Sequence, residues 1–131
     1  MFHEQIQQKQ NMSTYIRIIP AHEFIKAVPE GELDFEKSKE LLAKIVSVSA
    51  PAFDHKIIVD TRKAHTKFTI TDLWYLAAEL SKAGRHLSRK MAVVCPLEGF
   101  DYAGFLALCA QNRGVPVMAF TSFGDAIEWL F

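Results

Sequence analysis

The residues best suited to chemistry gather in one stretch, VDTRKAHTKFTITDLW, residues 59–74. Asp60 closes an apolar run, and Arg62, Lys63 and His65 follow it directly. A carboxylate, two cations and an imidazole at the C-terminal end of a strand lie where open α/β sheets bind ligands. Catalysis would need a nucleophile or a base with an orienting partner, and an Asp and a His five residues apart in a loop supply neither. No catalytic residue is assigned and no enzyme is expected; Asp60, Arg62 and His65 stand as candidates for contact with a partner or ligand. Three hydroxyls follow, on Thr66, Thr69 and Thr71. Thr69 with Asp72 three residues on has the spacing of a reciprocal helix cap. Thr69 and Thr71 are also the candidate phosphorylation sites, although a phosphate would meet the like charge of Asp72.

Other chemistry has less support. His3, His22, His55, His65 and His86 lie in separate segments without an i, i+4 pair, so no metal site is expected. The six glycines are scattered singly, which leaves no phosphate-cradling loop and no cofactor. Cys95 and Cys109 sit in the apolar runs MAVVC and FLALC, where reduced thiols pack as small hydrophobes and a cytoplasmic location fits. Fifteen basic and fifteen acidic residues cancel, so no long-range field would gather nucleic acid or an anionic membrane. No apolar run approaches the ~20 residues that span a bilayer.

Elements that would position these groups can be read from periodicity. The chain has 131 residues, half of them apolar, enough for one core and one domain. Residues 1–13, polar and Gln-rich, read as a flexible tail, with Met12 as a second candidate start; the folded domain spans 14–131. YIRIIP and EFIKAV suggest a strand pair joined at Ala21-His22, with Pro29-Glu30-Gly31 breaking the second strand. A helix capped by Asp34 carries Phe35, Leu41, Leu42, Ile45 and Val46 on one face. KIIVD and MAVVC read as strands buried on both faces, with a helix between them whose stripe is Leu73, Trp74, Ala77 and Leu80 and whose stop is Gly84. A third helix ends at Gly114, VPVMAF is a last strand, and SFGDAIEWLF is a closing helix capped through Ser122 and Asp125, its inward stripe Ala126, Trp129 and Leu130. The order β-β-α-β-α-β-α-β-α is that of a single α/β domain: about five mostly parallel strands and about four helices.

Taken together, the opening hairpin, GELDFEKSKELL, the strand ending in Asp60, the helix about ten residues later, MAVVC and the closing AF-TSFGDAIEWL resemble the STAS domain, the sulfate transporter and anti-sigma-factor antagonist fold. The Gly-x-Leu-Asp element and the final Ala-Ile-x-Trp-Leu point to its SpoIIAA-like branch of small stand-alone bacterial proteins. The resemblance implies a non-enzymatic regulatory module that binds a protein partner. It also implies a phosphorylatable serine at the N-terminus of the helix after the third strand, where free N–H groups and the dipole favour an anion. The matching stretch here, HTKFTITDLW, has no serine and no glycine, which argues against that switch.

The third helix is unusual. Phe100, Tyr102, Phe105, Leu106, Leu108 and their alanine neighbours leave almost no polar face, where a surface helix should have one. One account covers the second face with another segment or a second copy of the chain. Another makes it a functional apolar surface, with Trp74 and Tyr75 as a facing wall. The latter is the alternative function: a carrier or sensor of an apolar small molecule, with peripheral membrane contact. Such a carrier needs a pocket of a few hundred Å³.

Overall fold

The computed structural model describes residues 14–20, 24–49, 56–83 and 90–131. The expected N-terminal tail, the Ala21-His22 turn, the stop at Gly84, and His3, His22, His55 and His86 lie outside the described residues. Strands β1 (Thr14–Pro20) and β2 (Phe24–Leu33) pair antiparallel over the whole of β1. Strands β3 (Lys56–Asp60), β5 (Met91–Val94) and β6 (Val117–Phe120) extend the sheet in parallel, giving the order β1-β2-β3-β5-β6. A short strand β4 (Ala64–Thr66) pairs with the far end of β2.

The break expected at Pro29-Glu30-Gly31 is a change of partner instead. β2 pairs with β3 over Phe24 to Ala27 and with β4 over Gly31 to Leu33, while β1 stays bonded alongside throughout. Continuous antiparallel pairing keeps the chain extended through Pro29, and Gly31 accommodates the bend at φ +87°.

Helices α1 (Phe35–Ser49), α2 (Ile70–Ala83) and α3 (Phe100–Asn112) connect the parallel strands, and α4 (Phe123–Leu130) closes the fold. A 3-10 turn (Leu97–Gly99) leads into α3. Asp34 Oδ1 accepts from the Lys37 N–H at 2.9 Å to start α1, and Ser122 Oγ accepts from the Asp125 N–H at 3.2 Å to start α4. Gly114, at φ +82°, ends α3 in the left-handed conformation.

Alternation along the strands divides the core in two. Ile57, Val59, Met91 and Val93 face α1, α2 and α3, whereas Ile58, Ala92 and Val94 face α4. The inward stripe of α2 is Leu73, Leu76, Ala77 and Leu80. Trp74, placed on that stripe by sequence, is rotated about 100° away from Leu73 and is 49% exposed. α3 buries Leu106, Ala107 and Ala110 and leaves Phe100, Tyr102 and Leu108 outward. On α4, Ala126 and Leu130 are buried and Trp129 partly so.

Candidate functional site

The groups that sequence placed together at the end of β3 separate onto the two faces of the sheet. Asp60 follows Ile58 toward α4, and its side chain is only 7% exposed. Arg62 grips it in bidentate fashion: Nε donates to Oδ1 at 2.9 Å and a terminal guanidinium nitrogen to Oδ2 at 2.8 Å. The Arg62 backbone N–H adds a bond to Oδ1 at 3.1 Å, and Lys26 Nζ stands 4.0 Å from Oδ2 while lying over the Phe123 ring. Burial alone would raise the Asp60 carboxyl, but the hydrogen bonds and charge of Arg62, with Lys26 behind them, outweigh it and hold the group below its ordinary value. This carboxylate is ionised and occupied by its partners.

At the start of α2, Thr69 Oγ1 accepts from the Asp72 N–H and Asp72 Oδ2 accepts from the Thr69 N–H, both at 3.0 Å. That is the reciprocal capping box, built from the two residues whose spacing suggested it. Thr71 is exposed one residue into the helix. One turn along, Trp74 and Tyr75 stand outward with their rings edge to face at 5.3 Å, and the Arg113 guanidinium lies over Trp74 at 5.0 Å. Ile70 is exposed on the same helix. Two large aromatics half in water, with a cation stacked on one of them, have the composition of a contact surface.

The other face of the sheet holds a half-open cavity of about 110 Å³ between the strands and α1, α2 and α3. Leu41, Ile45, Val59, Leu73, Leu80 and Met91 form much of its wall, and none of the described residues lining it is charged. It adjoins a more polar vestibule of about 340 Å³ beside β4, where His65, Lys67 and Glu98 stand. Ala64, Thr66, Phe68, Pro96, Gly99 and Tyr102 border both spaces, at the C-terminal ends of the parallel strands. Cys95 lines the inner space with its thiol 3.6 Å from the Phe120 carbonyl. Burial, then the nearby Glu98 charge, pushes that thiol up, so it stays protonated and is a poor nucleophile.

Of the residues singled out from sequence, Tyr102 borders both spaces and His65 the vestibule only. Phe105 packs partly buried against the core, and Phe100, Trp74 and Tyr75 face outward. The hollow therefore lies beneath the helices, not between Trp74 and Tyr75 and the outer face of α3. The cavity residues missed include Ser38, Thr61, Phe68 and Gly99. Ser38 had a legible signal, since it stands three, four and seven residues before Leu41, Leu42 and Ile45 on the buried stripe of α1.

Five parallel strands and an antiparallel edge, with three helices on one face and the last helix on the other, define a SpoIIAA-like fold, the architecture of the STAS domain. An anti-sigma factor antagonist from Mycobacterium paratuberculosis superposes with a TM-score of 0.60 at 16% identity, covering 92% of this chain and 96% of its own. An uncharacterised protein with a SpoIIAA-like fold from Shewanella loihica PV-4 gives 0.59 at 14% identity, covering 91% and 94%. The anti-sigma factor antagonist SpoIIAA in its unphosphorylated form gives 0.52 at 14% identity, covering 88% and 95%. No family model matches the chain, and no curated protein sequence matches it. Among the described residues, no helix is long and apolar enough to cross a membrane.

Proposed function

We propose that the protein is a non-enzymatic regulatory module, cytoplasmic as its free cysteines suit, that binds a protein partner through the exposed face of α2 near its N-terminus. The observation that carries this is the outward Trp74 and Tyr75 pair, one turn from the Thr69 cap, in a fold shared with anti-sigma factor antagonists. Aromatic side chains at the centre of a polar rim are the residue types that dominate binding energy at interfaces. The reactive groups support a non-catalytic role: Asp60 is consumed by Arg62, the Cys95 thiol is held neutral, and the Thr69 hydroxyl is used in the cap. We also propose that the module works without the serine switch. A phosphate on Thr69 would break the cap and face the Asp72 carboxylate, whose oxygen already lies 3.0 Å from the Thr69 nitrogen.

The test is photocrosslinking in the native host from a benzophenone amino acid placed at Tyr75, with Glu128 on the opposite face of the sheet as control. A partner captured from position 75, absent from position 128 and lost when Trp74→Glu is added, supports the reading. Equal capture from both positions, or none from position 75, sinks it.

A second reading, a carrier or sensor of an apolar small molecule, draws on the cavity beneath the helices. The exposed Tyr102 on its wall supplies an aromatic lip. At about 110 Å³ it is smaller than a drug-sized pocket of ~300 Å³ or more, so any guest is compact.

A further inference from the structure

Ser38 lies in the second turn of α1, only 7% exposed, on the wall of the cavity. Among the described residues, no group makes a hydrogen bond with its hydroxyl. A helical serine ordinarily resolves this by donating to the carbonyl four residues back, as Ser49 does to Ile45 at 2.8 Å. Ser38 does not, and buried polar groups without partners are rare enough that each calls for an account.

Two of the polar groups that share this wall are already engaged, while Thr66 and Tyr102 stand where it meets the vestibule. Thr61 Oγ1 donates to the Val94 carbonyl at 3.2 Å, and the Cys95 thiol lies against the Phe120 carbonyl. A water beside Ser38 would meet mostly apolar walls, a poor setting for the two to four hydrogen bonds that hold a buried water in place. An ion is disfavoured more strongly, because none of the described residues lining the inner space carries a charge to offset its desolvation. What matches the walls is an apolar body with a single hydrogen-bonding atom. Its size follows from the volume: about 110 Å³, open toward the vestibule, is of the same order as the ~150 Å³ apolar cavity that accepts benzene.

We propose that the cavity binds a neutral, compact hydrophobic molecule carrying one oxygen, of the class of a monocyclic phenol or a short-chain alcohol, with that oxygen on the Ser38 hydroxyl. The ligand reaches the chamber from the vestibule between β4 and the Pro96 to Tyr102 segment, because both spaces share Thr66, Phe68, Gly99 and Tyr102 as walls. This assignment deepens the carrier or sensor reading and rests on it.

Three probes of the full chain, followed through methyl resonances of Leu41, Ile45, Leu73 and Leu80, separate the two claims. Xenon reports the cavity without regard to chemistry, toluene fills it without an oxygen, and p-cresol adds the hydroxyl. The expected result is that all three perturb those methyls and that Ser38→Ala lowers the ratio of p-cresol to toluene affinity about fivefold, the worth of one hydrogen bond. Ala103→Leu, which adds carbon atoms to the cavity wall, should weaken both organic probes together. If xenon and toluene enter but the ratio is unchanged in Ser38→Ala, the oxygen-bearing class is overturned and an apolar guest survives. If none of the three reaches the methyls, the site and the carrier reading fall together.

Discussion

Arg62→Ala isolates the ion pair that keeps Asp60 from serving as a free carboxylate. The variant loses two charge-assisted hydrogen bonds of 2.9 and 2.8 Å but keeps the backbone N–H bond at 3.1 Å and Lys26 at 4.0 Å. Stranding a buried charge costs ~3–5 kcal/mol when the partner is itself buried. Here Arg62 is 44% exposed and two contacts to Asp60 remain, so the expected loss is about 2 kcal/mol at neutral pH. At ~2.1 cal/mol/K per residue, that lowers Tm by about 7 °C. The pH dependence fixes the mechanism. Burial raises the Asp60 carboxyl, Arg62 and Lys26 lower it further than burial raises it, and the folded value lies below the ordinary 3.8. In the native protein the stability from this depression is therefore complete above the unfolded value and is lost as pH falls through the folded one. Without the guanidinium, burial is less opposed and the folded value rises. The deficit of the variant is then largest near neutrality and narrows on acidification, as its Asp60 protonates first. Urea denaturation at about pH 7 and about pH 3.5 measures both, with Asp60→Asn and the double variant completing a cycle. A deficit below ~0.5 kcal/mol, a deficit that does not change with pH, or an equal loss from Arg62→Ala in the Asp60→Asn background would refute the assignment of Asp60 as a structural anion.

Thr69→Ala should cost ~1 kcal/mol, about 4 °C in Tm by calorimetry, while Thr69→Ser retains the capping oxygen and most of the stability. Ser38→Ala should raise the stability of the ligand-free protein by about 1 kcal/mol in urea titrations, since it removes a buried hydroxyl without a described partner and improves helix propensity. Tyr75→Ala should lower stability by less than ~1 kcal/mol, because the ring is 53% exposed and its described ring contact is with Trp74, yet it should weaken the partner complex by tenfold or more in a binding titration.

The parts of this fold that were legible in sequence are those where one period dominates. KIIVD and MAVVC carry apolar side chains toward both faces over Ile57 to Val59 and Met91 to Val94, the pattern of central strands, and both are central. Leu41, Leu42 and Ile45 repeat at helical spacing against a charged face, and they are the buried stripe of α1. Trp74 was misplaced because Leu73 and Trp74 are adjacent and both apolar. Leu76 decides the stripe, since 73, 76, 77 and 80 share a face and 74 does not. β4 had no signal: three residues, AHT, pair only because β2 runs past the end of β3 and leaves an unpaired edge.

The cavity was hidden for a different reason. Ser38 stands among Lys37, Lys39 and Glu40, so its neighbours suggest solvent while its phase on the helix places it inside. Ala64, Gly99 and Ala103 are small residues on three other segments, and nothing in a one-dimensional pattern shows that they border the same space. Periodicity reports which way a side chain points, whereas a void depends on what stands opposite it. The sheet order supplies that second fact by bringing α1, α2 and α3 onto one face, where small side chains from separate segments meet and leave the space unfilled. A polar residue inside an otherwise apolar stripe, such as Ser38 in the run Ser38, Leu41, Leu42, Ile45, is thus the one sign of such a site that a sequence carries in advance.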